Sequence, residues 1–168
     1  IAHPLLKQGL VILDTPGLNA IGAEPELTVS LIPQAQAVMF ILGADTGVTK
    51  SDLDIWREHL ITETGNTDTR LVVLNKIDTL WDQLSTPEQI QAQIDRQCAS
   101  TAEILGIPLD QVLPVSAHKG LVGKVTDDAE LLKKSCLPGL EAALGSRIMG
   151  QRQKILGSAV VSGIAFNR

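Results

Sequence analysis

Leu71-Val72-Val73-Leu74-Asn75-Lys76-Ile77-Asp78 is the stretch from which the fold can be read. Four aliphatic residues, two of them β-branched, are too short a run for a typical helix and suit a buried strand. The run ends on an amide, an ammonium and a carboxylate, so polar chemistry follows the strand at once. Similar runs occupy residues 10–13, 37–42 and 112–115. Helix signals lie between them. Ser51 with Asp54 three residues on, and the stretch 49–52, read as the start of one helix; Thr86-Pro87-Glu88 opens a longer one reaching Leu105, and Gly106-Ile107-Pro108 stops it. Strands alternating with helices make right-handed crossovers, and so predict an α/β domain with a mostly parallel sheet covered on both faces. Further helices are expected at 137–144 and from about residue 146 to the end, with a break at Gly145.

In an open parallel sheet, ligands bind beyond the carboxyl ends of the strands. Three of the four runs end in polar residues of the right kind: Asp14-Thr15-Pro16-Gly17, Asn75-Lys76-Ile77-Asp78, and Ser116-Ala117. Each alone reads as an ordinary turn, because Pro presets φ and Gly accepts positive φ. Their order on successive strand ends makes three unrelated turns an improbable account.

That order resembles the GTPase branch of the P-loop nucleoside triphosphatases, whose members carry Asp-x-x-Gly, Asn-Lys-x-Asp and Ser-Ala in this sequence. Within the branch the chain is most similar to bacterial dynamin-like proteins, over roughly residues 6–145. The hints are Asp14-Thr15-Pro16-Gly17-Leu18-Asn19, Ala44-Asp45-Thr46-Gly47-Val48-Thr49-Lys50-Ser51-Asp52, Leu137-Pro138-Gly139-Leu140-Glu141 and a polar insertion at 120–135. The resemblance implies a three-layer α/β/α P-loop GTPase fold, GTP and GDP as ligands with Mg²⁺, and hydrolysis of GTP in the intact protein.

What each residue would do follows from the chemistry of the base. Asp78 would set a carboxylate against the ring N–H and exocyclic amine of guanine, two charge-assisted bonds that adenine cannot reproduce. Lys76 would lay its aliphatic stem along the base, and Asn75 would tie its loop to neighbouring backbone. Ala117 would offer a backbone N–H to the guanine carbonyl oxygen, with Ser116 holding the turn. The resemblance puts Asp14 near Mg²⁺, most simply through a coordinated water, and the N–H of Gly17 at the γ-phosphate. Loss of that contact on hydrolysis would free residues 18–30, the expected switch.

One departure from the family pattern is large. No Gly-x-x-x-x-Gly-Lys-Ser/Thr occurs; in the nearest lookalike, residues 43–51, Gly47 and Lys50 are separated by Val48-Thr49, and the amides cannot form the nest in register. The phosphate loop, its strand and the first switch are expected upstream of Ile1, making the chain an N-terminally truncated and inactive piece with an exposed apolar sheet edge. The expected domain division is 1–145 for the partial G domain and 146–168 for a helix leading towards a stalk.

The net charge of −5 argues against a nucleic-acid surface, which needs clustered Lys and Arg. Cys98 and Cys136 are far apart without Cys or His neighbours, and neither a zinc site nor a disulfide framework is expected. The start has neither a basic leader nor a long apolar stretch, and residues 155–166 are too short and too rich in Gly and Ser to span a bilayer. Trp56 and Trp81 are expected to pack, with Trp81 close enough to Asp78 to offer the alternative of shielding a base. The resemblance implies pairing of G domains in a homodimer, membrane remodelling or tethering through regions outside this chain, and a cytoplasmic or peripheral inner-membrane location. Two other readings share these residues: an Era-like GTPase of ribosome assembly or tRNA modification, and a binding module without catalysis.

Overall fold

The structure is a computed structural model in which residues 11–14, 32, 35, 37–61 and 70–148 are described. Three strands, β1 (Val38–Gly43), β2 (Arg70–Asn75) and β3 (Val112–Pro114), form a parallel sheet in the order β1-β2-β3. Val38 pairs with Arg70 and Gly43 with Asn75, while Val72 pairs with Val112 and Leu74 with Pro114. All three strands therefore end on the same rim. Beyond Pro114 the ladder is prolonged by Val115 N–H to the Leu74 carbonyl at 2.9 Å.

β2 is the central strand, and its composition explains why. Val72 and Leu74 point into one face and Leu71 and Val73 into the other, and all four are at most 5% exposed. A run of four apolar side chains that alternates between the two faces is stable only where both faces are covered. β1 is different: Phe40 and Leu42 pack inward, whereas Met39 and Ile41 on its other face are 37% and 56% exposed.

Helix α1 (Lys50–Ile55) is capped by Thr49, whose hydroxyl accepts from the Asp52 N–H while the Asp52 carboxylate accepts from the Thr49 N–H. The capping box begins two residues before the Ser51 signal and contributes about 1 kcal/mol. Helical backbone continues into a wider turn, Trp56–Ile61, carrying Trp56 and Leu60 into the core. The Trp56 indole lies 5.4 Å from the Phe40 ring and donates its Nε1–H to the Leu105 carbonyl at 3.1 Å. That bond satisfies one of the carbonyls left open at the end of a helix.

Helix α2 (Pro87–Leu105) has Thr86 and Gln89 as a second capping box, Pro87 in its first turn, and Gly106 at φ 67° as its stop. Its buried residues, Ile94, Cys98, Thr101, Ala102 and Leu105, recur at helical spacing and face the sheet. After β3 come α3 (Ala117–Val125), α4 (Ala129–Lys134) and α5 (Leu137–Ala143). α3 and α4 approach closely because Gly123 has no side chain: a Cβ there would meet the Leu132 backbone nitrogen at 2.8 Å. Lys124 and Glu141 form an ion pair between α3 and α5.

Two expectations fail. Residues 11–14 form no strand, and Val11, Ile12 and Leu13 are 80%, 59% and 67% exposed. An aliphatic run becomes a strand only when a neighbour takes up its backbone hydrogen bonds, and none of the described strands pairs with it. The helix break at Gly145 is also absent, since the backbone continues through a wider turn, Leu144–Ile148. A glycine inside a helix costs about 1 kcal/mol, which weakens a helix without ending it.

Candidate functional site

The loops leaving β1, β2 and β3 meet on one rim of the sheet, and Asn75 joins two of them. Its side-chain oxygen accepts the Lys76 N–H at 2.8 Å and the Ala117 N–H at 3.1 Å. Its own carbonyl accepts the Ala44 N–H at 2.7 Å. One short amide at the end of the central strand thus holds the second loop to the third, and its backbone holds the first. Lys76 sits at φ 65° and ψ 32°, left-handed backbone that costs a side-chain-bearing residue roughly 1–2 kcal/mol. Strain of this sort persists where surrounding bonds determine the geometry, and the Asn75 side chain supplies one of them.

The kink at Lys76 starts a short 3₁₀ turn, Ile77–Leu80, with Ile77 fully buried as its anchor. Asp78, half-buried in this turn, receives the Ser116 hydroxyl on Oδ1 at 2.5 Å. Its Oδ2 accepts no hydrogen bond from another described residue. Ser116 is wholly buried and has a second duty: its Oγ accepts the Lys119 N–H at 3.2 Å and caps α3. The hydroxyl proton is therefore committed to Asp78 while the oxygen lone pair serves the helix.

Lys76 reaches back to the first loop. Its ammonium donates to Asp45 Oδ2 at 3.1 Å, and this bond, assisted by the lysine charge, holds the Asp45 carboxyl below its ordinary value of 3.8. Asp45 was open to discovery from sequence, because it follows the run at 37–42 just as Asp78 follows the run at 71–74. The loop carrying it turns tightly, with the Gly47 N–H bonded to the Gly43 carbonyl at 2.9 Å. Lys50 and Ser51 are committed to the start of α1, as expected of a helix start.

A third contact comes from the corner between α4 and α5. Ser116 N–H donates to the carbonyl of the fully buried Ser135 at 2.8 Å, and Lys134 places its ammonium 4.3 Å from the centre of the Trp81 ring. Residues 134 and 135 had no sequence signal, since nothing local marks a residue whose partner is about twenty or fifty positions away.

The structure thus brings Asn75, Lys76, Asp78, Ser116 and Ala117 together with Trp81, already marked by its closeness to Asp78 in sequence, and adds Asp45, Lys134 and Ser135. The Ala117 N–H is held by Asn75 Oδ1, so a ligand carbonyl would have to share or displace that bond. Asp14 is exposed and bonds to no other described residue, and Gly17 and the switch stretch 18–30 lie outside the described residues. Among the described residues no three His, Cys, Asp or Glu side chains gather as a metal site. Cys98 is buried, which together with Asp95 and Cys136 nearby pushes its thiol up to about 11 and leaves it unreactive at neutral pH.

No protein-family model matches the chain. An uncharacterized protein in the xynA 3′ region of Caldicellulosiruptor sp. (strain Rt8B.4) is 26% identical over 158 residues, 92% of this chain and 37% of that protein. Among solved structures, LeoA, a bacterial dynamin GTPase from ETEC, superposes with a TM-score of 0.60 at 18% identity, covering 84% of this chain and 28% of that one. The chain spans well under half the length of either. At this identity the likeness establishes a distant GTPase-like fold: mixed helix and sheet, with a small parallel sheet.

Proposed function

We propose that this chain carries the base-reading side of a guanine-nucleotide site in a domain of the dynamin-like GTPase type. The Ser116–Asp78 bond at 2.5 Å is the observation that carries this reading. It fixes one carboxylate oxygen and leaves the other, with the remaining lone pairs, for a ligand presenting two adjacent donors. Guanine presents them on its Watson–Crick edge; adenine offers a ring acceptor there and would leave the carboxylate facing lone pairs. Asn75 fits the same purpose, holding Ala117 and its N–H beside the carboxylate. The Lys76 stem, held at its far end by Asp45, provides an apolar surface for the ring.

Asp14 and Gly17 complete the proposal on the phosphate side. A single exposed carboxylate suits Mg²⁺, which keeps most of its waters and is shared with phosphate oxygens. Asp14 would hold it through water, and the Gly17 N–H would bind the terminal phosphate. Bound Mg²⁺ would supply charge stabilisation for hydrolysis of GTP to GDP and phosphate. We assign residues 1–145 to the G domain and 146–168 to a connection towards a helical region. Homodimerisation through G domains and peripheral membrane contact belong to the same proposal; among the described residues no helix is long and apolar enough to cross a membrane.

The test is displacement of a fluorescent guanine nucleotide from the full-length protein by unlabelled GDP and ADP. GDP should compete at concentrations lower by on the order of a hundredfold or more. Equal competition by the two would end the assignment.

A further inference from the structure

We propose that Lys134 and Ser135, at the corner between α4 and α5, are positioning residues that set the aim of the Asp78 carboxylate and so the selectivity for the exocyclic amine of guanine. The inference rests on the base-reading function proposed above and extends it to residues with no place in the nucleotide motifs.

The corner holds Asp78 from two directions. On one side the Ser135 carbonyl accepts the Ser116 N–H at 2.8 Å, and Ser116 then donates its hydroxyl to Asp78 Oδ1 at 2.5 Å. On the other, the Lys134 ammonium lies 4.3 Å from the centre of the Trp81 ring, and the backbone N–H of Trp81 donates to the Asp78 backbone carbonyl at 3.2 Å. The side-chain oxygen and the backbone of the same aspartate are thus braced by two consecutive residues of a distant helix end.

The corner itself is stiff. The Ser135 Oγ donates to the Leu132 carbonyl at 2.6 Å and accepts the Leu137 N–H at 3.2 Å, stitching the end of α4 to the start of α5. Cys136 adopts left-handed backbone at φ 59°, which turns the chain sharply between the two helices. Gly120 lets α3 lie against this corner, since a Cβ there would meet the Ser135 Oγ at 3.0 Å and Leu137 side-chain atoms at 2.7 Å. A rigid corner is what a positioning role requires: two hydrogen bonds to one carboxylate hold their geometry only if the carboxylate does not swing.

The chemistry separates this role from simple support of the fold. Hypoxanthine keeps the ring N–H and lacks the exocyclic amine, so the ratio of GDP to IDP affinity reads the second of the two bonds alone. Misaiming Asp78 lowers that ratio; loosening the domain lowers both affinities together.

The experiment measures GDP and IDP binding to full-length protein carrying Lys134→Met, Lys134→Arg and Ser135→Ala. Lys134 is exposed, and its variants are expected to fold. Lys134→Met should reduce the GDP:IDP ratio by up to about tenfold, the size of one lost hydrogen bond, while Lys134→Arg keeps a cation over the ring and restores it. Ser135→Ala should lower the ratio in the same direction. An unchanged ratio in Lys134→Met, or equal loss of both affinities, overturns the positioning role while leaving the base-reading site intact. Wild-type protein that binds GDP no better than ADP overturns the site, and this inference with it.

Discussion

Replacing Ser116 by alanine should cost the domain about 2–3 kcal/mol, and the sum follows from its two bonds. Its Oγ caps α3 through the Lys119 N–H, and losing such a cap costs about 1 kcal/mol. Its hydroxyl donates to Asp78 at 2.5 Å, a bond to a charged acceptor worth about 1.5–3 kcal/mol. Asp78 is only half-buried, so water can replace part of that bond and the lower end applies. Removing one hydroxyl from a wholly buried position leaves too small a space to add a large cavity term. A domain of this size then loses roughly 5–10 °C in melting temperature. Urea denaturation followed by circular dichroism gives the free energy, and a cycle with Asp78→Ala, which removes the acceptor, isolates the shared part. The two changes should fall short of additivity by about 1 kcal/mol or more, because either one removes the same bond. Strict additivity, or a loss below about 0.5 kcal/mol for Ser116→Ala, would refute the claim that this contact organises the rim.

Other consequences are open to the same kind of measurement. Asp78→Asn should exchange guanine for xanthine selectivity, since the amide presents a donor where xanthine carries a carbonyl; a nucleotide competition series reads it, and retained guanine preference counts against the assignment. Asp45 should titrate below 3.8 by NMR because Lys76 donates to its ionised form, and Lys76→Met should return it towards that value. The sign follows: a depressed carboxylate stabilises the folded loop at pH above the ordinary value and loses that contribution as pH falls through the lowered one, so the Asp45–Lys76 contact should open only in acid. Gly123→Ala should destabilise by about 2–3 kcal/mol in denaturant titrations, because its Cβ would meet backbone that cannot yield, whereas Gly139→Ala, with nothing within 4 Å, should be neutral or slightly stabilising. Ile41→Thr should reduce self-association in light scattering, because it removes the most exposed aliphatic side chain of β1.

Much of the sheet was legible because short aliphatic runs that end in polar residues leave a strong local mark. The runs at 37–42, 71–74 and 112–115 became β1, β2 and β3 within a residue or so, and α2 started and stopped where Thr86, Pro87 and Gly106 indicated. Local signals suffice there, since caps and breakers act through their immediate neighbours. The described part of the run at 10–13, residues 11–13, has the same composition and forms no strand, because pairing is a property of the neighbour and not of the run. Gly145 misleads for a related reason: helix propensity is weak, and the turn at 144–148 passes over it.

The rim was legible in part. Residues after each apolar run drew attention to Asn75, Lys76, Asp78, Ser116 and Ala117, and the fold gathers all five. Asp45 obeys the same rule but lacks a motif of its own. Lys134, Ser135 and the Trp81 contact could not have been read, because α4 contributes to the rim only after α3 and α4 have packed through Gly123. Tertiary bonds between residues so far apart in sequence carry no periodicity to detect.

The central claim is that the loops at 75–78 and 116–117 hold a guanine ring. Its most direct measurement is an amide chemical-shift map of the full-length protein titrated with GDP and, separately, with ADP. With GDP the largest movements should fall at Lys76, Asp78 and Ala117, the last as its N–H turns from Asn75 towards the ligand, and ADP should leave them nearly still. Strong GDP shifts elsewhere with these amides unmoved, or the same response to both nucleotides, would contradict it.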